Sequence, residues 1–216
     1  MIRITPHGDW DRVAVLLATT PYKLRRALDR AVLQEAQFFR AKVVEGFRTQ
    51  APGGVPFKPL SPITLAMRRA RGFSGTKALM VRGDLRNSIS VMSRATYDGA
   101  EAWVGVKKNA RNATGVSLHN IAMVHEFGSR PIVIRVTPKM KAFFFAAMAR
   151  AGGTGGAGGA GGFKRGFIIV QIPARPFLRP VAAKWFNGPP AAARFQARVA
   201  QNMGGMFGLL GGLPRT

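Results

Sequence analysis

The chain has 216 residues, of which 47% are hydrophobic, and its 33 lysine and arginine residues against nine acidic ones give a formal net charge of +24. The hydrophobic fraction is ordinary for a globular protein and excludes wholesale disorder, while the absence of cysteine excludes disulfides, thiolate catalysis and cysteine-ligated metals. The charge indicates a nucleic acid, an anionic membrane or an acidic protein surface as partner, or else a generally basic protein without one.

The N-terminal MIRITPHGDW carries charges early and lacks a long apolar stretch, so we expect no signal peptide. No run of about 18 apolar residues occurs, so we expect no transmembrane helix and no membrane partner. Residues 2–5 alternate as in a short strand, and Asp9 is suited to cap a helix that ends near Ala18. Pro21 is expected to separate this helix from the next one.

A long helix is the next predicted element, and it ends near Thr49. Its apolar side chains recur every three or four positions and form one stripe: Leu24, Leu28, Val32, Ala36, Phe39, Val43 and Phe47. Such a stripe predicts that this side of the helix is buried against a core.

The segment APGGVPFKPLSP, residues 51–62, ends the long helix because of its prolines and glycines. Ser61 and Pro62 are typical of an N-cap and of a first helical residue. They predict a short basic helix over residues 63–71.

Two strands are predicted near residues 88–95 and 101–106, after a turn that Gly83 and Asp84 mark. We expect these strands to pair antiparallel. The polar and basic residues 107–115 then predict an exposed loop.

Residues 117–127 predict a short helix that Gly128 ends, and the β-branched residues 131–136 predict a strand. Residues 137–150 form either a further helix or, because three phenylalanines follow one another, a buried strand. Both interpretations stay open at this point.

The last part of the chain begins with GGTGGAGGAGG, residues 152–162, which predicts a flexible loop because it lacks side chains. A strand near residues 167–172 and helices near residues 178–186 and 191–203 follow. Residues 201–216 form a tail rich in glycine and methionine.

These elements predict an α+β fold in which the long N-terminal helix packs on a small, mostly antiparallel sheet made of the four strands. Additional short helices and the glycine-rich loop complete it. We expect a single domain over residues 1–200, followed by the C-terminal tail.

His125 and Glu126 are the first candidates for catalysis or metal binding, but the HExxH spacing fails because Ser129 occupies the place of the second histidine. The acidic residues are scattered, with Asp9 and Asp11 as the closest pair. The glycine run matches GxGxxG without a Rossmann frame, and neither a P-loop nor a GxSxG elbow occurs. We therefore predict no enzyme, no metal and no cofactor, and a structural role for His125 and Glu126; a basic hydrolase that uses both is the alternative.

Two basic clusters are candidate contacts with DNA or with an acidic partner: Arg68, Arg69 and Arg71, and Lys107, Lys108 and Arg111. Such residues can neutralise phosphate. Because no aromatic residues are interleaved with them, we expect any nucleic-acid binding to be nonspecific. A solvated charged face is the alternative for each cluster.

The segment IPARPFLRP, residues 172–180, should be stiff and extended because each proline fixes φ and biases the preceding residue away from helix. It presents Phe177 and Leu178 between Arg175 and Arg179. This combination is suited to docking on a partner or on a second subunit. Alternatively, the two apolar side chains complete the core of their own chain, and both roles are compatible.

Four stretches, read in order, resemble the virion morphogenesis or tail-completion proteins of tailed bacteriophages, including the Mu G-like group. They are FKPLSPITLAMRRARG, ALMVRGDLRNSI, VHEFGS and IPARPFLRP, and VTPKMKAFF adds to them. The resemblance covers residues 57–180. The glycine-rich insert and the apolar C-terminal tail depart from the family's pattern.

The resemblance implies a non-enzymatic structural virion protein of the phage neck that completes the tail and joins it to the head. Such proteins commonly form a ring around the DNA channel, here a hexamer by analogy with the symmetry of the tail. The implied partners are further copies of the chain, neighbouring connector, tail-tube or terminator proteins and, nonspecifically, the genomic DNA. The implied location is the virion, and the host cytoplasm during assembly. A tail terminator, another minor tail protein and a nonspecific DNA-binding protein are the alternatives.

Overall fold

The computed structural model describes residues 10–96, 99–150 and 166–207. The predictions for the strand at residues 2–5, for Asp9 and for the glycine-rich stretch at 152–162 lie outside these residues. The chain divides into two compact units: Met1–Phe38, Val91–Trp103 and Gly188–Thr216 in the first, and Phe39–Ser90 and Val104–Asn187 in the second. The single domain over residues 1–200 stays a prediction.

The described chain contains both helices and short strands, which confirms the α+β class. The elements are α1 (Trp10–Thr49), a 3₁₀ turn (Pro52–Gly54), α2 (Pro62–Ala70), α3 (Asp84–Asn87), β1 (Ile89–Ala95), β2 (Ala100–Val106), α4 (Leu118–Phe127), β3 (Ile132–Arg135), α5 (Pro138–Arg150), β4 (Phe167–Val170), α6 (Arg179–Trp185) and α7 (Pro189–Phe207).

Helix α1 is one continuous element, and the predicted separation at Pro21 is wrong. The helix contains Pro21 and continues to Thr49. A proline removes one backbone hydrogen bond from a helix. Pro21 itself is exposed.

The buried side of α1 agrees with the predicted stripe at its C-terminal end, where Val43 and Phe47 are fully buried. Nearer the N-terminus, Leu24 is 41% exposed, whereas Ala27 and Ala31 are fully buried. The pattern of large apolar residues therefore locates the buried side less well there. Small alanine side chains allow close packing and carry a weaker hydrophobic signal than leucine.

The four predicted strands exist, but they form two separate two-stranded sheets, β1–β2 and β3–β4, instead of one sheet. Strands β3 and β4 pair antiparallel, with Val133 opposite Ile169 and Ile134 opposite Ile168. An apolar alternation specifies which face of a strand is buried but not which strand becomes its neighbour.

Capping residues explain where several helices begin and end. Ser61 caps α2 by accepting a hydrogen bond from the Thr64 amide at 3.3 Å, as its position predicted. Ser117 caps α4, and Gly128, with φ of 86°, ends it. Residues 138–150 form helix α5, which decides against a buried strand. Helix α7 continues to Phe207, beyond the expected end.

Candidate functional site

The stretches that carry the resemblance meet in the core of the second unit. Phe47 of α1 packs against Phe177 of IPARPFLRP, with ring centroids 5.0 Å apart, and against Phe57 of FKPLSP at 6.0 Å. The same cluster includes Leu85 and Ile89, which belong to ALMVRGDLRNSI. These distant segments therefore share one apolar core.

Glu126, from VHEFGS, is buried at 4% exposure and holds the start of α6. One carboxylate oxygen accepts hydrogen bonds from the amides of Phe177 and Leu178 at 2.8 and 3.1 Å. The other accepts from the Arg179 amide at 3.0 Å and from its Nε at 3.2 Å. The first two amides directly precede α6, and the Arg179 amide begins it and has no partner within the helix, so this carboxylate satisfies donors that would otherwise stay unpaired.

Arg175 connects IPARPFLRP to FKPLSP. Its Nε donates to the Lys58 carbonyl at 2.8 Å, and its Nη2 donates to the Pro59 carbonyl at 2.9 Å. The side chain is only 6% exposed, and burial lowers its pKa. Arg175 therefore keeps its charge inside the protein with carbonyl oxygens as its hydrogen-bond partners.

The backbone of residues 172–175 runs beside the end of α4. The Ser129 amide donates to the Ile172 carbonyl at 3.0 Å, and the Arg175 amide donates to the His125 carbonyl at 2.7 Å. Gly128 lies between these contacts in a conformation with φ of +86°, and a Cβ there would lie 3.3 Å from the Ala174 nitrogen. A glycine at this position lets the two segments approach each other.

The 3₁₀ turn after α1 approaches the start of α6 even more closely. Gly53 has φ of +63°, and a Cβ on it would lie 2.3 Å from the Pro180 carbonyl oxygen. Since real side chains do not tolerate such a distance, the turn requires glycine at this position.

His125 lies beside this network, and its buried Nδ1 has no hydrogen-bond partner in the part of the chain that the structure describes. Burial and, second, the positive charge of Arg175 lower the pKa of His125 from 6.5 to about 4. The imidazole is therefore neutral near pH 7. Because both carboxylate oxygens of the neighbouring Glu126 accept hydrogen bonds from the protein itself, the pair supports the predicted structural role.

The predicted interface residues occupy two environments. Arg175 and Phe177 are buried in their own chain, Phe177 completely, which agrees with the core alternative for Phe177. Leu178 is half-buried and packs against the core. The Arg179 side chain is 58% exposed. Whether these four residues also contact another subunit stays a prediction.

Arg179 and Phe127 form an exposed pair at the surface. The Arg179 guanidinium lies 4.7 Å from the centroid of the Phe127 ring, and Phe127 is 59% exposed. Arg179 also donates to Glu126, so its position is held from the interior. The result is an aromatic and an arginine side chain presented on an ordered support.

The two predicted basic clusters differ in the exposure and hydrogen bonding of their side chains. Arg68 donates to the carbonyls of Gly75 and Lys77 at 3.2 and 2.8 Å, and burial and the charge of Arg175 lower its pKa. Arg69 and Arg71 are exposed. Lys107 and Lys108 are exposed as well, and Arg111 is exposed while donating to the Gly115 carbonyl at 2.8 Å.

A large cleft lies in the second unit, with a volume of about 1120 Å³. Its apolar walls come from α2 and the segments before and after it, from α4 and α5, and from the β3–β4 sheet. They include Leu60, Ile63, Met67, Leu79, Ile121, Ile134, Met140, Ile168 and Val170. Five charged side chains line the same cleft, namely Arg68, Arg71, Arg82, Arg175 and Asp84, together with His125. We name it the arginine-lined cleft.

The first unit has a buried carboxylate that the sequence analysis missed. Glu35 on α1 is bound by two arginines of α7, with Arg194 Nη2 at 3.0 Å and Arg198 Nε at 2.7 Å from its oxygens. Both guanidinium groups also lie over the Phe38 ring, at 4.6 and 5.6 Å. One signal was present in the sequence, since Glu35 is three residues after Val32 and therefore lies among the apolar positions of α1.

The described residues contain no group of three or more histidine, aspartate or glutamate side chains placed to hold a metal ion. No helix among them is both long and apolar enough to cross a membrane.

The comparisons with known proteins agree with the geometry of this core. The sequence profile of the phage virion morphogenesis family matches residues 16–182, which include all four converging stretches. Neither the curated proteins nor the solved structures that were searched include a match. Since the profile match extends over most of the chain, this protein belongs to the phage virion morphogenesis family.

Proposed function

We propose that the protein is a structural component of the phage neck or tail that completes the tail and joins it to the head as a homo-oligomeric ring around the DNA channel. Membership in a virion morphogenesis family supports a structural role in the particle. In this proposal the protein acts by shape and charge, without turnover and without a cofactor.

The observation that most supports ring formation is the exposed Arg179–Phe127 pair. Arginine and aromatic side chains are over-represented among the residues that dominate protein–protein binding. Glu126 orders Arg179 before any partner arrives, so less side-chain freedom is lost on binding. A ring requires each subunit to present one patch to a different patch of its neighbour, and a pre-ordered pair suits such a patch.

Exposed apolar side chains elsewhere in the second unit supply further surface for such contacts. Val133 and Ile169 are opposite each other in the β3–β4 sheet and are 66% and 64% exposed. Paired exposed apolar residues of this kind are typical of an interaction surface.

Electron microscopy and sedimentation of the purified protein test the ring. We expect closed rings for the natural chain and their loss in Phe127→Ser, because the substitution removes the exposed aromatic ring without opening the core. Val55→Ser is the matched control, since Val55 is 55% exposed in the same unit. Rings that persist in Phe127→Ser would contradict the assignment of this pair.

Particles made without the protein test the role in joining. We expect separate heads and tails when the gene product is absent, and joined particles when the natural chain is supplied. Joined and infectious particles in its absence would overturn the proposal.

Nonspecific DNA binding is the second candidate, and the exposed Arg69, Lys107 and Lys108 favour it. A salt titration of DNA binding separates the two functions. Binding by an isolated monomer that weakens steeply with salt favours phosphate contacts as the main activity. No binding at low salt favours protein partners as the target of the positive charge.

A further inference from the structure

The arginine-lined cleft combines apolar walls with positive charges. Among the described residues, Arg68 and Arg175 donate only to backbone carbonyls. Neither Arg71 nor Arg82 belongs to an ion pair in the part of the chain that the structure describes. Asp84 is the one acidic side chain on the cleft wall among these residues.

Two groups inside the cleft would gain from a bound carboxylate. Arg175 is 6% exposed, and a buried charge is normally compensated by an opposite one. His125 also lines the cleft, and its buried Nδ1 has no hydrogen-bond partner among the described residues. A carboxylate near them would receive charge-assisted hydrogen bonds, which are stronger than those between neutral groups.

From this geometry we infer that the arginine-lined cleft binds a segment of a partner protein that combines apolar side chains with one or more carboxylates. The inference rests on the proposed function, because it identifies the kind of neighbour that the neck component joins. The apolar walls would bury the apolar side chains of the segment, and the arginines would select for its acidic residues.

Charge argues against the other possible occupants. A second copy of this chain carries the same net charge of +24, and three of its nine acidic residues, Glu35, Glu45 and Glu126, are already bound to basic side chains. DNA phosphates favour exposed lysine and arginine side chains, whereas the cleft is walled by apolar residues and Arg175 is buried. An acidic and apolar protein segment satisfies both the walls and the charges.

Two blocked synthetic hexapeptides test the inference with the full-length chain. The first has the sequence Leu-Asp-Phe-Leu-Asp-Phe, and the second has lysine in place of both aspartates. Fluorescence anisotropy with labelled peptides measures both affinities. We expect the acidic peptide to bind at least tenfold more tightly than the basic one, and its affinity to fall as salt is added.

Arg71→Glu and Arg69→Glu form a matched pair of variants, because both residues are exposed near the end of α2 and only Arg71 lines the cleft. We expect Arg71→Glu to weaken binding of the acidic peptide at least tenfold, and Arg69→Glu to change it less than twofold. Arg82→Glu, on a different segment of the wall, is expected to act like Arg71→Glu. Circular dichroism verifies that each variant is folded.

Equal affinity for the two peptides, or equal effects of Arg69→Glu and Arg71→Glu, would overturn the inference. Loss of rings in Arg71→Glu without any binding of the acidic peptide would also overturn it, because the cleft would then be an interface between copies. Selective peptide binding by a protein that forms no rings would keep the inference and contradict the ring. The two proposals therefore fail in different experiments.

Discussion

Each of the two units contains a buried glutamate, and the two carboxylates bind different kinds of donor. Glu126 in the second unit accepts hydrogen bonds from three backbone amides at the start of α6. Glu35 in the first unit is bound by the side chains of Arg194 and Arg198. The Glu126 carboxylate therefore orders a backbone segment, whereas the Glu35 carboxylate pairs with positively charged side chains.

The difference coincides with the extent of the family match. Glu126 and its donors all lie within the matched residues 16–182, whereas Arg194 and Arg198 lie beyond them. Backbone amides are present whatever the side chains are, so a carboxylate that binds them needs no second matching residue. The arrangement around Glu35 requires two specific side chains on a separate helix.

Glu126→Ala is expected to have the largest effect on stability. It leaves three amides and the Arg179 Nε without their acceptor, and removing one partner of a buried charged network costs about 3–5 kcal/mol. Urea unfolding of the purified protein measures this loss. Glu45→Ala is the control, since the Glu45 side chain is exposed and bound only to Lys42. A smaller loss of unfolding free energy in Glu126→Ala than in Glu35→Ala would contradict the expected order.

Gly53→Ala is expected to have the next largest effect. The positive φ and the close approach to the Pro180 carbonyl together cost roughly 2–4 kcal/mol. Gly115→Ala separates the two causes, because Gly115 has φ of +79° and open space around its Cβ position. The natural chain and both variants are compared by thermal and urea unfolding. Equal losses for the two variants would mean that the contact with Pro180 contributes nothing.

Glu35→Ala is expected to cost less than Glu126→Ala, about 1–2 kcal/mol, because the two arginine side chains remain over the Phe38 ring and are partly open to water. Urea unfolding again gives the value. Raising the salt concentration should reduce the cost of Glu35→Ala, since the interaction lies between full charges. A salt-independent loss larger than that of Glu126→Ala would contradict this ranking.

The smallest expected effect concerns pH and His125. The folded state holds the pKa of His125 at about 4, below the ordinary 6.5, so the unfolded chain binds a proton at a higher pH than the folded one. Stability is therefore lost as pH falls from about 6.5 towards 4. The free energy of unfolding of His125→Gln, measured with urea, should fall less than that of the natural chain between pH 6.5 and pH 4. Because the side chain is half-buried, solvent screens part of the effect. The same pH dependence of the unfolding free energy in the natural chain and in His125→Gln would contradict this role of His125.

Local features of the chain were predictable because neighbouring residues produce them. Ser61 and Ser117 were identified at helix starts, and Gly128 at a helix end, since a cap depends on the next three residues or on a single φ angle. Pro21 is the exception, because a favourable helix on both sides outweighs the loss of one hydrogen bond.

The candidate site was predictable only in part. The motifs identified Phe177 and Arg175, and the structure brings both into contact with segments about fifty to over a hundred residues away. The sequence predicted a structural role for Glu126 but not which groups it binds, because the amides that it accepts from lie 51 to 53 residues away along the chain. The cleft was not predicted, since its walls come from five separate segments.

The sequence by itself determined most of the helices, the short strands, the basic character and the family to which the chain belongs. The tertiary structure decided which carboxylates are buried, which strands pair and which arginines line a common cleft. The physical reason is distance along the chain. Caps and periodicities act within a few residues, whereas Glu126 lies 51 residues from Phe177 and Glu35 lies 159 residues from Arg194. Such contacts form only when folding brings the segments together, and their partners leave no periodic signal in the sequence.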